Sequence, residues 1–266
     1  MIRSDYHTHT SFCDGRNTPE EMVQAAVAKG MECIGFSGHA LTSFDTSWCM
    51  SREGTKAYVE EISRLKEAFR DQIRIYCGAE VDYYSDGPLE GLDYTIGSVH
   101  YIEKNGSRKN VDESPEFLTQ LVEEWYGGDF YAAAEAYYAN VADVLDRTGA
   151  DIIGHFDLIT KFNEGGRLFD ESHPRYRAAW QQAADRLLEW DRPFEINTGA
   201  MFRGWRTAPY PSAEIMDYIA GRGGRFILSG DAHSTEALCW EFDRWERYVN
   251  EKGYELVEGI KGIGRF

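Results

Sequence analysis

The sequence predicts an α/β fold whose parallel sheet closes into a barrel. Two observations carry that prediction. About seven strand-like runs alternate with helix-like segments along the 266 residues, and six of the seven histidines stand at or just past the ends of those runs. A strand that feeds a helix before the next strand runs parallel to it, because parallel neighbours need a long crossover. The length suits one such domain over residues 1–266, with no linker, repeat or low-complexity stretch to divide it.

The elements follow in order. Ile2–His9 reads as the first strand. Thr18 can cap the helix that follows, Pro19 suits its first turn, and Glu20 and Glu21 complement its dipole. That helix runs to about Lys29 and Gly30 ends it. Further strands are expected at Glu32–Ser37, Gln72–Val81, Tyr94–Val99, Asp151–Gly154, Pro193–Asn197 and Arg225–Ser229. Helices are expected at Ser51–Arg70, Ser114–Tyr126, Phe130–Arg147, Pro174–Trp190, Ser212–Arg222 and Glu236–Val249. A long polar loop, Lys161–Ser172, separates the fifth strand from its helix, and the tail beyond Val249 is too short to assign.

Composition narrows the function. Hydrophobic residues make up 42% of the chain, enough for a substantial core, and the formal net charge is −17. An acidic chain with no Lys or Arg run repels phosphate backbones and anionic lipids, which argues against nucleic-acid and membrane partners. The N-terminus lacks the pattern of a signal peptide, and no apolar run could span a bilayer. Five scattered cysteines, with no CxxC pair, fit reduced thiols in the cytoplasm.

The histidines carry the chemistry. His7 and His9 close the first strand; His39 follows GFSG, His100 follows TIGSV, His155 follows DIIG and His233 follows ILSGDA. Only His173 lies elsewhere, at a helix start. In a parallel barrel the C-terminal strand ends gather on one face, where active sites sit. Residues i and i+2 of a strand point to one side, with Cα atoms roughly 6.6 Å apart. The HxH pair can therefore chelate one ion. Asp14, Glu80 and Asp231 fall at the same level. Six imidazoles and three carboxylates exceed the four ligands of a single zinc site, so two or three divalent ions are expected. Arg167, in NEGGRLFD, and Arg203, in TGAMFRGWR, lie in loops facing the same mouth; an arginine fork suits phosphate oxygens. Arg206 ranks below them, being farther out. Trp48, Tyr83 and Trp205 are candidate pocket walls, with ordinary packing the equal alternative. Cys13 has no obvious base and reads as a small packing residue.

HxH, GFSGHA, CGAE, GSVH, GHFD and SGDAH together resemble the PHP (polymerase and histidinol phosphatase) family, from Asp5 to His233. The resemblance implies a distorted (β/α)7 TIM-like barrel with a trinuclear centre at the C-terminal strand ends. By that likeness His7, His9, Glu80 and Asp231 hold one ion. Glu80 bridges to a second, held with His100 and His155. Asp14, His39 and His233 hold the third. Some relatives have histidine where this chain has Asp14, and the harder carboxylate shifts preference from zinc toward iron or manganese. Stand-alone members of this length imply a small phosphate monoester as substrate, L-histidinol phosphate, cleaved by a metal-activated hydroxide attacking phosphorus. Arg167 and Arg203 would bind the phosphate, and Asp231 or His233 would protonate the leaving group. A nucleotide or another small phosphate ester as substrate, or a non-catalytic, metal-stabilised accessory role beside a polymerase, are the alternatives.

Overall fold

The structure, a computed structural model, describes residues 3–259. Its strands are β1 (Ser4–Asp5), β2 (Cys33–Phe36), β3 (Arg74–Asp82), β4 (Tyr94–Ser98), β5 (Tyr101–Lys104), β6 (Ser107–Asn110), β7 (Ile152–Ile153), β8 (Phe194–Asn197), β9 (Arg225–Ser229) and β10 (Glu255–Leu256). All but β5 and β6 join one parallel sheet in chain order. The sheet curls until its ends meet. Thr8, just past β1, forms a parallel bridge with Ala232, just past β9. There His9 N donates to Ala232 O at 2.8 Å and Ala232 N donates to His7 O at 3.0 Å. The seven expected strands thus make the ring, and β10 extends it at the opposite end, pairing with Arg225 and Phe226 of β9.

The helices are α1 (Pro19–Ala28), α2 (Arg52–Ala68), α3 (Pro115–Tyr126), α4 (Phe130–Thr148), α5 (Pro174–Leu188), α6 (Gly199–Phe202), α7 (Ala213–Ala220) and α8 (Phe242–Lys252). The start of α1 is a capping box: Thr18 Oγ1 accepts from Glu21 N, and the Glu21 carboxylate accepts from Thr18 N. Apolar faces of α3, α4, α5, α7 and α8 bury one large cluster, and α1 and α2 bury a second. Inside the ring, Tyr94 forms a floor below the site. Its hydroxyl donates to Phe36 O at 3.1 Å and to Tyr6 O. Its ring crosses Gly35 and Gly78 so closely that a Cβ at either would come within 2.5 Å of it, which is why both positions are glycine.

Four local differences from the sequence expectation have physical causes. The first strand stops at Asp5 because the Asp5 carboxylate, not a ladder partner, takes the His7 N–H at 3.2 Å; its expected start, Ile2, lies outside the described residues. A hairpin, β5–β6, was not anticipated, although its turn is Asn105-Gly106. Both residues have positive φ, 52° and 77°, the requirement of a tight two-residue turn. The last helix begins at Phe242 rather than Glu236. Cys239 and Glu241 have positive φ, 53° and 58°, so the segment before it is a 3-10 turn, Thr235–Ala237. The tail left unassigned contributes β10.

Candidate metal and phosphate site

The strand ends converge as the pattern predicts. Among the described residues, three groups of donor atoms lie close enough to hold metal ions: His7, His9 and Glu80; Glu80, His100 and His155; and His9, Asp14, His39 and His233. Glu80, at the end of β3, stands in two of them. Its Oε2 is 3.2 Å from His7 Nε2, 3.5 Å from His9 Nε2 and 3.0 Å from His39 Nδ1. Its Oε1 is 2.8 Å from His155 Nε2 and 3.5 Å from His100 Nε2. One oxygen faces each side, the geometry of a bridging carboxylate. Asp231 Oδ1 faces the first group, 3.3 Å from His9 Nε2 and 3.7 Å from His7 Nε2. Asp14 closes the third, 3.6 Å from His39 Nε2 and 3.2 Å from His233 Nε2.

The donor set suits divalent cations. His7 Nε2, His9 Nε2 and His39 Nδ1 are buried without a hydrogen-bond partner, and such nitrogens are normally satisfied. Each is turned toward carboxylate oxygen, where an ion would satisfy all of them at once. The potential there is negative. Burial disfavours a proton on His7, yet Glu195, Glu80 and Asp231 outweigh it and hold its pKa well above the ordinary value. For His39, Glu80 and Asp14 likewise overcome burial. Burial alone would raise Glu80, but His7, His39 and His100 hold it well below the usual carboxylate range. His9 behaves oppositely: burial, then His233 and His39, push it down to about 3. A neutral His9 is ready to act as a ligand.

Carboxylates outside the expected set orient the imidazoles. Glu195, buried on β8, lies 2.6 Å from His7 Nδ1 and accepts from His155 N at 2.9 Å. Asp82 accepts from His100 N at 2.7 Å and lies 3.2 Å from His100 Nδ1. A partner on one ring nitrogen sets the tautomer and turns the other toward the metal. The signals were present in the sequence. Asp82 follows Glu80 at i+2, and Glu195 is a lone acid in an apolar strand, FEIN.

The expected phosphate ligands divide. Arg203, at the end of α6, lines a cavity of about 370 Å³ over the metal cradle. Its Nη2 donates to Asp231 Oδ2 at 2.9 Å and its Nη1 to Asp231 O at 3.2 Å. Arg167 lies apart from it: its side chain is exposed and does not line this cavity. Gly165 and Gly166, both with positive φ, turn the loop outward, and Asn163 pins the return by accepting from Leu168 N and Phe169 N. The cation that does line the wall from this loop is Lys161, held by Asp112 Oδ2 at 2.9 Å and Asp112 O at 2.8 Å. Arg206 is buried, donating to Thr160 O at 2.9 Å. Of the three aromatics, only Trp48 reaches the cavity; Tyr83 bonds Asp143 at 2.9 Å and Trp205 packs on Phe162. Cys13 Sγ sits 3.6 Å from His9 Nδ1. His173 caps α5, its Nδ1 accepting from Arg175 N.

A curled parallel sheet with grouped imidazoles and carboxylates beyond its C-terminal strand ends defines a barrel of the metal-binding class. More particularly, the chain belongs to the PHP domain family, which matches residues 5–199. A histidinol-phosphatase of Bacillus subtilis is 29% identical over 270 residues, covering 91% of this chain and 98% of its own. One from Lactococcus lactis is 27% identical over 281 residues, covering 99% and 96%. Among solved structures, a Listeria monocytogenes protein crystallised as a candidate histidinol phosphatase superposes with a TM-score of 0.79 at 22% identity, covering 91% of this chain and 99% of that one. A Lactococcus lactis histidinol phosphate phosphatase, complexed with zinc, L-histidinol and phosphate, superposes with a TM-score of 0.68 at 20% identity, covering 97% and 98%. Both share the fold. Among the described residues no helix is long and apolar enough to cross a membrane.

Proposed function

We propose that this chain is a metal-dependent phosphomonoesterase that hydrolyses L-histidinol phosphate to L-histidinol and phosphate, a step of histidine biosynthesis. The observation that carries the reading is the bridging position of Glu80 between donor groups, joined to end-to-end likeness with histidinol-phosphatases. His7, His9, Glu80 and Asp231 would hold one ion; Glu80, His100 and His155 a second; Asp14, His39 and His233 a third. When bound, divalent ions supply Lewis acidity toward phosphoryl oxygens and a nucleophile at neutral pH.

The chain's own residues do the rest. Arg203 and Lys161, both on the cavity wall, place fixed positive charge where the phosphate must enter and stabilise charge that spreads over its oxygens. Arg203 also holds Asp231 in place through its 2.9 Å contact. Asp231 and His233 border the cavity beside Arg203, where one of them would relay a proton released by the attacking water to the leaving oxygen. We place the enzyme in the cytoplasm as one unit over residues 1–266, in keeping with its five free cysteines.

The test is phosphate release from L-histidinol phosphate by protein purified with manganese, beside AMP and an aryl phosphate. A preference for histidinol phosphate of several orders of magnitude in kcat/KM is expected. Equal or greater activity on the other esters would move the enzyme to a different substrate. Inertness toward every ester with full metal content would overturn the catalytic reading.

A further inference from the structure

We propose that Trp48 is the residue that selects a ring-bearing substrate, and that the β5–β6 hairpin exists on this barrel to hold it in place. The inference rests on the phosphatase reading above and names the wall that reads the far end of the ester. The cavity over the metal cradle is lined almost wholly by polar and ionisable side chains; among the described residues, Trp48 and Leu158 are its only apolar ones. Leu158 is 3% exposed and offers little surface. A flat, weakly polar ring bound in this cavity therefore has one large apolar side chain to pack against, the Trp48 indole.

That indole is fixed in orientation. Trp48 Nε1 donates to the Tyr101 hydroxyl at 2.6 Å, and the Tyr101 hydroxyl donates to Asp45 Oδ2 at 2.8 Å. Asp45 is in turn fastened by Ser47 Oγ at 2.7 Å. Tyr101 stacks on Trp48 with centroids 6.0 Å apart and planes 27° apart. Behind Tyr101 stands Phe44, edge-on at 4.9 Å, and Arg108 of the hairpin covers the Phe44 ring at 4.8 Å. Tyr101 opens β5 and Arg108 lies in β6, so the hairpin supplies both ends of the buttress. On its other side Trp48 meets the His39 imidazole edge-on at 4.4 Å and lies 5.6 Å from the His100 ring. The indole thus stands next to the donor groups that would hold the phosphate end, within one small ligand's length of them. A rigid ring presented without further ordering costs little entropy on binding.

The experiment compares Trp48→Phe and Trp48→Leu with the unaltered chain. It uses L-histidinol phosphate, ethanolamine phosphate as an ester with an amine and no ring, and L-histidinol as a competitive inhibitor. Metal content is measured alongside. The expected result is a selectivity ratio between the two esters that falls about 10- to 100-fold in Trp48→Leu, mainly through KM, and is largely kept in Trp48→Phe. Inhibition by L-histidinol weakens in parallel, and metal content is unchanged. Tyr101→Phe, which removes both the acceptor of Trp48 Nε1 and the tie to Asp45, gives a smaller fall of the same kind. Equal loss on both esters with loss of metal would overturn the proposal and make Trp48 a support for His39. An unchanged ratio in Trp48→Leu would overturn it as well. If the unaltered chain shows no preference for histidinol phosphate, the substrate reading fails first, visible before any variant is compared, and this inference falls with it.

Discussion

The inner and outer parts of the metal cradle are built differently. The inner part, His7, His9 and Glu80, is buried, and its donors come from strands or the residues directly past them. Glu195 on β8 fastens His7 from behind. The outer part, Asp14 and His233, sits on loops, with side chains 36% and 24% exposed. The inner donors are fixed by strand backbone and by Glu195, whereas the outer ones reach over the mouth from chain that solvent can wet. Strand-borne ligands give a rigid, slowly exchanging site, and loop-borne ligands give one that is easier to fill and to empty.

Substitutions at the two parts should separate them. The largest effect belongs to Glu80→Gln, which removes the charge shared by two groups. Activity should fall by about 1000-fold or more, with loss of more than one ion by elemental analysis; retention of all ions would remove Glu80 from the bridging role. Next comes Glu195→Gln. It touches no ion in this arrangement, yet metal affinity should weaken about 10- to 100-fold. A titration with zinc or manganese that leaves affinity unchanged would show that His7 needs no orienting carboxylate. Asp14→Ala should cost one ion and leave the inner group filled, and dialysis of the unaltered chain against a weak chelator should strip that same ion first. Loss of all ions together would mean the two parts act as one. Smallest is the loop pair. Lys161→Ala should raise KM about tenfold, while Arg167→Ala should alter KM by less than about twofold. The reverse order would restore Arg167 to the phosphate.

These cases also mark how far the sequence could be read. The histidines were legible because strand ends and i, i+2 spacing are local patterns, and a parallel barrel turns such local ends into one place. The barrel was legible for the same reason, since each strand announces its helix. Arg167 was not. Whether a residue in the Lys161–Ser172 loop faces the mouth depends on two positive-φ glycines and on Asn163 stitching across to Phe169. No periodicity encodes either. Glu195 was passed over because an acid in an apolar strand is weighed by composition, whereas its role depends on His7, 188 positions away. The β5–β6 hairpin is faint in the sequence despite its Asn-Gly turn, because β6, SRKN, is too polar to show hydrophobic alternation.

The bridge between Thr8 and Ala232 has a consequence for the birth of the protein. Asp5 accepts from Gly230 N, 225 positions along the chain, and the same seam brings His7 and His9 against Asp231. The two-histidine motif leaves the ribosome long before its carboxylate partner, with most of the barrel made in between. Until the ninth strand emerges, those imidazoles can meet Glu80 and Glu195 but lack the Asp231 carboxylate that faces their group. The full donor set is therefore assembled only once Asp231 is in place, and a chain cut before Asp231 would carry five of the six clustered histidines without completing it.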